Sequence, residues 1–378
     1  MAQDDVLGDA IERLEWTEDK GGNPTSELTR ITRRTALAGG ASGLAAALLA
    51  ACGSSSGATT TTTTSAAATA AAAVFGSANP FKFAVVNHAK RSGVYLPTQN
   101  GAADACKLLG CSFAWTGSAS ANVAQMVKAI NTAVNAKVDG IATSLIDASA
   151  FNVPVATALE AHIPVISYSS DVPGNPRLAY VGSDPTRGGR EMGERIKTML
   201  PSGGTIAAFI GVPGVTALDS RMAGLTEALR GSGITVKQVA SGPGQSQESA
   251  IIYPFITKHP KYNGFFAVDG ASTAVLGAAI QSGGLAAKGV VGGGYDLTAT
   301  TQQLLASGDI DFAIDEQQYL QGFLPILELY LYRTSNGFSG PADVDTGVRF
   351  VDKHVAIDYE NNKSRFEGTS SSPGVVTS

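Results

Sequence analysis

From residue 81 onward the sequence alternates short runs rich in Val, Ile, Phe and Ala with longer stretches of helical periodicity, and after residue 182 the alternation starts again. Strands are expected at 81–87, 112–116, 138–143, 162–167 and 178–182. Between them lie helices over 95–109, around Val123, Val127, Ile130 and Val134, and over 149–161. In the first of these, Ala102, Ala105, Leu108 and Leu109 share one face. The second series has helices at 186–200, 216–230, 246–258, 271–282 and 298–306, with strands at 204–210, 234–240, 264–268, 289–294 and 310–314. A long apolar helix follows at 317–333. Strands that are apolar along their whole length, each followed by a helix, belong to parallel sheets covered on both faces. One hydrophobic core stops growing at about 250–300 residues. Two such series therefore predict an α/β protein of two Rossmann-like lobes.

Ahead of this body the sequence has a different character. Arg33-Arg34 directly precede an uncharged, Ala- and Gly-rich stretch over 36–51. It is too short and too weakly apolar for a membrane span, which needs about 20 apolar residues, and its order of features is that of a signal peptide. The paired arginines resemble the twin-arginine type. Leu49-Ala50-Ala51-Cys52-Gly53 resembles a bacterial lipobox, which implies that Cys52 becomes the lipidated first residue. Residues 1–52 are thus expected to be an export leader. Residues 53–80, dominated by Ser, Thr and Ala, have too little apolar surface to offset ordering and are expected to form a flexible tether. Anchoring would be by lipid alone, at the outer face of the cytoplasmic membrane. The net charge of −5 and the absence of basic runs argue against a nucleic-acid partner. The other two cysteines, Cys106 and Cys111, lie five apart at the end of a predicted helix. That spacing is awkward for a disulfide while the helix persists, and they are read as small core residues, with a disulfide left open.

In open parallel sheets, ligands bind beyond the carboxyl ends of the strands. After the first strand come His88, Lys90, Arg91 and Tyr95; after the third, Asp147 and Ser149; after the fourth, Ser169, Ser170 and Asp171. In the second series one strand leads to Arg221, Val268 to Asp269, Gly294 to Tyr295-Asp296, and Ile314 to Asp315-Glu316-Gln317-Gln318. Such a set suits a small polyhydroxylated ligand. Carboxylates accept hydroxyl hydrogens, a guanidinium supplies a donor fork, and an aromatic face packs on sugar C–H groups. Each residue also has a structural reading. An Asp after a strand often caps a helix, which applies to Asp147 and Asp315. Arg221 fits a solvated helix face, and Tyr95 fits a core position. Asp296 follows three glycines that permit close backbone approach. No nucleophile elbow, zinc-protease motif, phosphate loop or metal-spaced Cys/His cluster occurs. Neither a catalytic set nor a metal or cofactor is expected, although paired carboxylates leave a secreted glycoside-processing enzyme open.

Over residues 81–357 the sequence resembles the sugar-binding receptors of bacterial ABC importers, of the ribose-binding type. The resemblance rests on Phe83-Ala84-Val85-Val86-Asn87-His88, Asp139-Gly140-Ile141, His162-Ile163-Pro164-Val165-Ile166 and Ala179-Tyr180-Val181-Gly182-Ser183-Asp184. It continues in Ser220-Arg221-Met222-Ala223-Gly224-Leu225, Tyr295-Asp296-Leu297 and the segment 310–322. It implies the type I fold of periplasmic binding proteins, two lobes joined by three crossings near 183–184, 316–317 and 345–347. The lobes would be 81–183 with 317–345, and 184–316 with 346–360, leaving 361–378 as a tail. By position the resemblance makes Tyr95 the stacking aromatic, Asp147 or Ser149 the strand-three group and Arg221 the clamp. Asp269 and Asp296 are the acceptors that follow, and Glu316 or Gln317 the hinge group, with His88 and Asp171 as further candidates. Three features depart from the family pattern: Val94-Tyr95 stands where pentose receptors carry two aromatics, the loop Asn87–Gly93 is unusually basic with Lys90 and Arg91, and Glu316 stands where an amide is usual. An acidic cleft would favour a neutral sugar, a polyol or an amino-bearing ligand. The implied function is a monomeric lipoprotein that delivers a small carbohydrate to an ABC permease and its ATPase. The alternative in the same fold is a receptor for signalling or chemotaxis, or for a furanosyl signal molecule.

Overall fold

Two six-stranded sheets organise the computed structural model, which describes residues 79–356. The segments expected to form the export leader, with Cys52, and most of the tether, together with the expected tail over 361–378, lie outside the described residues. The first sheet holds β1 (Lys82–Asn87), β2 (Ser112–Gly117), β3 (Gly140–Thr143), β4 (Val165–Tyr168), β5 (Ala179–Gly182) and β11 (Val344–Asp345), in the order β11-β5-β4-β3-β1-β2. All its pairings are parallel. The second holds β6 (Gly204–Ile210), β7 (Ile234–Ala240), β8 (Gly264–Ala267), β9 (Val291–Tyr295), β10 (Phe312–Asp315) and β12 (Arg349–Val351), in the order β12-β10-β9-β8-β6-β7. Only β12 runs antiparallel to its neighbour. Each sheet reverses its strand order at its first strand, β1 or β6. The carboxyl ends on either side of those strands form the crevices where such sheets bind ligands.

Nine helices among the described residues cover the faces: α1 (Leu96–Leu109), α2 (Val123–Asn135), α3 (Asn152–Glu160), α4 (Pro185–Met199), α5 (Thr216–Leu229), α6 (Gln245–Lys258), α7 (Gly270–Ser282), α8 (Ala299–Ser307) and α9 (Gln318–Thr334). Each sheet is sandwiched between two apolar clusters, one per face. Central strands such as β1 and β8 are buried on both sides, which is why they read as continuous apolar runs. Edge strand β7 is instead largely open to solvent and exposes Thr235, Lys237, Gln238 and Ala240.

Local chemistry moved several expected boundaries. A 3₁₀ turn at Gly93–Tyr95 precedes α1, so Tyr95 caps that helix and does not belong to it. The buried stripe of α1 includes Cys106, while Leu108 is only half-buried. In α2 the buried line is Met126, Ile130 and Ala133, with Val123, Val127 and Val134 packed at its flanks. Strand β4 starts at Val165 rather than at residue 162, because His162 sits at φ 59° and Pro164 has no N–H to pair. Helix α1 ends at Leu109, and Gly110 in the left-handed conformation turns the chain back.

The chain passes between the sheets three times: from β5 into α4, from β10 into α9, and from β11 into β12. The helices that follow the first two crossings are each packed tightly onto another helix of the lobe they enter. A Cβ added to Gly322 of α9 would lie 1.9 Å from the Thr98 carbonyl oxygen of α1, and one on Gly101 of α1 would lie 2.1 Å from that of Tyr319. The same closeness joins α4 to α5 at Gly189 and Gly224, where an added Cβ meets a carbonyl oxygen at 2.0 and 2.1 Å. Backbone cannot retreat as a flexible side chain can, so these contacts hold the crossing helices as parts of rigid bodies. Replacing Gly322 by Ala should cost about 1–3 kcal/mol or more in denaturant unfolding, the usual range for overpacking. Gly340→Ala, with nothing within 4 Å of the new methyl, should change stability by no more than about 0.5 kcal/mol.

Candidate functional site

A cavity of about 230 Å³ lies between the carboxyl ends of the two sheets. One wall is built by the loops after β1, β2 and β4 and by the cap of α1, and carries His88, Ser92, Tyr95, Ser120, Ser169 and Ser170. The other follows β6 to β9 and carries Arg221, Glu248, Asp269, Gly270 and Asp296, with apolar Val212, Val215, Leu218 and Pro243. Val215 also packs against the core of the first lobe, so the lobes touch beside the cavity. A larger cavity of about 720 Å³, lined by Asn79, Phe81, His162, Arg333 and Asn336, opens at the amino ends of the first sheet's strands. Parallel sheets bind ligands at the other end, and that groove's Arg333 already donates to Asp139 and to the His162 carbonyl.

A chain of hydrogen bonds sets the first wall. His88 Nδ1 meets Ser144 Oγ at 2.9 Å, His88 Nε2 meets the Tyr95 hydroxyl at 3.1 Å, and that hydroxyl meets Ser169 Oγ at 3.4 Å. The two rings meet edge to face, with centroids 5.1 Å apart. Burial, helped by Arg221 opposite, pushes His88 down to about 4, so the ring is neutral at physiological pH. Burial, then Asp296, raises Tyr95, which stays a phenol. This wall therefore offers neutral hydroxyl and imidazole groups.

Carboxyls dominate the second wall. Asp269 caps α7: its oxygens accept from Ser272 N at 2.9 Å and Gly211 N at 2.8 Å. Burial nevertheless raises its affinity for a proton. Asp296 sits at φ 70°, a left-handed conformation that Asp and Asn tolerate better than most residues, and accepts from the Gln318 amide. Burial, then the nearby Glu316 charge, holds Asp296 well above the usual carboxylate range. Glu248, in the first turn of α6, is 2% exposed, and its Oε2 has no partner among the described residues. Burial and then Asp269 push Glu248 up to about 8.

Arg221 is 6% exposed and largely committed to the protein. It donates through Nη1 to the Val268 carbonyl at 2.9 Å and through Nη2 to the Glu316 carboxylate. Its guanidinium carbon stands 4.2 Å from the Tyr295 ring centroid. Burial opposes its charge, but Glu316 and the surrounding groups hold the proton more firmly than usual. Its Nε is buried and has no partner among the described residues.

Five of the ten ligand-binding candidates thus meet around the cavity: His88, Tyr95, Arg221, Asp269 and Asp296. The other five do not line it. Asp147 turns its Oδ1 to the amides of Ser149 and Ala150 at 3.0 and 2.8 Å, the capping role that its position after a strand also allows, and Ser149 is exposed. Asp171 is held by Arg177 in a two-pronged pair, at 2.9 and 2.5 Å. Glu316 lies beneath the cavity, bound to Arg221 and to Ser183. Gln317 takes a left-handed turn at φ 63°, which brings the next residue, Gln318, to Asp296 in its place. Glu248 was missed because it stands one helical turn in, after Gly242-Pro243-Gly244; that glycine-rich turn following β7 was the available signal.

Two α/β lobes joined by three crossings, with a polar cavity between the carboxyl ends of their sheets, define a bilobal solute-binding protein. The chain belongs to the periplasmic binding protein family: the family model described as a periplasmic binding protein domain matches residues 83–334. It is 36% identical over 304 residues to the xylose/arabinose-binding protein XylF of Sulfolobus acidocaldarius, covering 77% of this chain and 75% of that protein. Its fold is similar to that of an ABC transporter solute-binding protein from Burkholderia graminis in complex with D-arabinose, at a TM-score of 0.69 and 23% identity, covering 73% of this chain and 96% of that one. A carbohydrate transporter protein from Acidothermus cellulolyticus in complex with myo-inositol gives 0.68 and 22%, covering 76% and 100%.

Two measurements probe this wall. Removing one partner of a buried ion pair leaves the other uncompensated, so Arg221→Ala should lower the stability of the ligand-free protein by about 3–5 kcal/mol in denaturant unfolding. Pairing Arg221→Met with Glu316→Leu should recover part of that loss. The second concerns pH. The unfolded chain ionises Glu248 near its ordinary 4.5, while the folded protein keeps the proton to about 8. Stability from this group is full below pH 4.5 and is lost as pH rises through about 8. Asp269 and Asp296 are shifted the same way, so Glu248→Gln should flatten the fall in melting temperature between pH 5 and 8 without abolishing it.

Proposed function

We propose that the protein is an exported receptor that clamps one small neutral sugar or polyol between its lobes and passes it, unaltered, to an ABC permease and its ATPase. The observation that carries this reading is the pairing of the two cavity walls, neutral hydroxyls and imidazole on one side and carboxyl acceptors on the other. A sugar ring offers donors and acceptors around its edge, which such walls satisfy together. The apolar residues of the second wall and the Tyr95 ring face its C–H surfaces. At about 230 Å³ the cavity is below the roughly 300–1,000 Å³ of pockets that take drug-sized ligands, which supports a single ring. Arg221 is already balanced by Glu316, and the other acidic or basic side chains of the cavity are carboxyls and a neutral imidazole, so a sugar acid or sugar phosphate would meet no free cation there. The relatives named for xylose, arabinose and inositol point to the same ligand class, and they are named as binding or transport proteins rather than enzymes.

The family is extracytoplasmic by description. In this reading the twin-arginine leader delivers the chain, and lipidated Cys52 holds it at the outer face of the membrane, as a monomer. Among the described residues no helix is long and apolar enough to cross a membrane, so a tether at Cys52 would keep the receptor near its permease. The lobes are then 81–183 with 317–345, and 184–316 with 346–360.

Equilibrium calorimetry tests the proposal with D-xylose, L-arabinose, D-arabinose and myo-inositol, and with galacturonate as the acidic control. One-site binding to at least one neutral ligand, with that ligand recovered intact, is expected, and galacturonate should give no heat of binding. Asp296→Asn keeps the left-handed backbone and should weaken affinity about tenfold or more, the scale of one buried polar group left without its hydrogen-bond partner. Conversion of the sugar to a product would contradict the proposal.

A further inference from the structure

We propose that Cys106 and Cys111 form an intramolecular disulfide once the protein reaches an oxidising compartment. The five-residue spacing that looks unfavourable in a continuous helix is not held in a helix here. Helix α1 stops at Leu109, and Gly110 adopts φ 71°, ψ 25°. The Gly110 and Cys111 amides both turn back onto the Cys106 carbonyl, the latter at 3.0 Å. This left-handed C-cap folds the residue after the glycine over the helix's last turn. It brings the Cys111 sulfur to within 2.8 Å of Cys106 Sγ. Two non-bonded sulfur atoms ordinarily pack farther apart, and no other side chain stands between them. The backbone has already made the approach that a disulfide needs.

The two thiols also differ in the way a stepwise oxidation requires. Cys106 is 5% exposed and sits in the apolar cluster with Ala102, Ala105, Leu109 and Phe113. Burial, and then its neighbour Cys111, disfavour its thiolate. Cys111 is half-buried and open to a reagent. The Cys111 thiolate attacks one sulfur of a disulfide oxidant, such as oxidised glutathione or the disulfide of an oxidase, and expels a thiolate. Cys106 then gives up its proton and attacks the Cys111 sulfur of the mixed disulfide, expelling the second thiolate. The oxidant's disulfide becomes two thiols, and the cysteine pair loses two protons and two electrons. Disulfides persist in extracytoplasmic compartments, where this family works. The bond would staple the carboxyl end of α1, the helix whose amino end is capped by Tyr95 at the cavity.

Trypsin cuts after Lys107, between the two cysteines, so a disulfide keeps two peptides joined until it is reduced. The test treats the full-length protein with oxidised glutathione, blocks remaining thiols with iodoacetamide under denaturing conditions, and analyses the digest by mass spectrometry. The expected result is a linked pair of peptides lighter by two hydrogen atoms than the sum of its free thiols, separating on reduction. Cys106→Ser should instead accumulate glutathione on Cys111, and Cys111→Ser should leave Cys106 unmodified over the same time. Full alkylation of both cysteines in the oxidised natural sequence, or glutathione that stays on Cys111 without closing the bond, would overturn the proposal. Neither outcome depends on ligand binding, so it stands or falls apart from the receptor reading.

Discussion

Glu316 gathers the three chain crossings and the second wall of the cavity into one buried network. Its carboxylate accepts from Ser183 Oγ at 2.5 Å, at the end of the first crossing strand, and from Arg221 on α5. Its carbonyl accepts from Thr346 Oγ at 3.0 Å, on the third crossing, and from Gln321 Nε2 at 2.8 Å, on α9. Glu316 itself belongs to the second crossing. Taking a carboxylate and a guanidinium out of water is costly, and such pairs often add little net stability over an apolar replacement. What this pair does add is geometry. Arg221 is fixed by the Val268 carbonyl and the Tyr295 ring, so the position of the cavity wall is tied to the position of the crossings.

That tie gives the cavity its chemistry. With Glu316 neutralising Arg221 beneath the wall, the other carboxyls nearby have no cation to themselves and rise towards neutrality through burial. Asp296 is linked by Gln318 to the first turn of α9, the helix packed through Gly322 against α1. A ligand hydroxyl reaching Asp296 would thus act on a group bound to the hinge, while one reaching Tyr95 would act on the cap of α1. Hinge closure around a ligand draws on a few residues at element ends that absorb the backbone change. Gln317, in a left-handed conformation at the second crossing and at the start of α9, stands at such an element end.

Much of the fold was legible because parallel strands buried on both faces leave an unbroken apolar run, and each was followed by a helix. The expected strand at 204–210 and the observed Gly204–Ile210 coincide. Boundaries shifted where single residues chose the backbone, as at His162 and at the 3₁₀ turn that ends on Tyr95. The site was half legible. The rule that ligands lie beyond strand ends picked Tyr95, Asp269 and Asp296, but it cannot tell a carboxylate facing a cavity from one spent on local amides. Asp147 and Asp269 look alike in sequence, and both cap backbone N–H groups; only tertiary placement puts one in the wall and the other outside it. Asp171 was captured by Arg177 six residues later. Glu248 lay beyond the rule's reach because it follows a turn and then a helical turn.

Hydrogen–deuterium exchange with and without a bound pentose tests the two-lobed clamp most directly. If the sugar sits in this cavity, it should slow exchange in both lobes at once, around residues 88–96 and 169–171 on one side and 211–221, 269–272 and 295–297 on the other. Protection confined to one lobe, or appearing instead around residues 79–81, 162–164 and 332–337 at the far end of the first sheet, would contradict it.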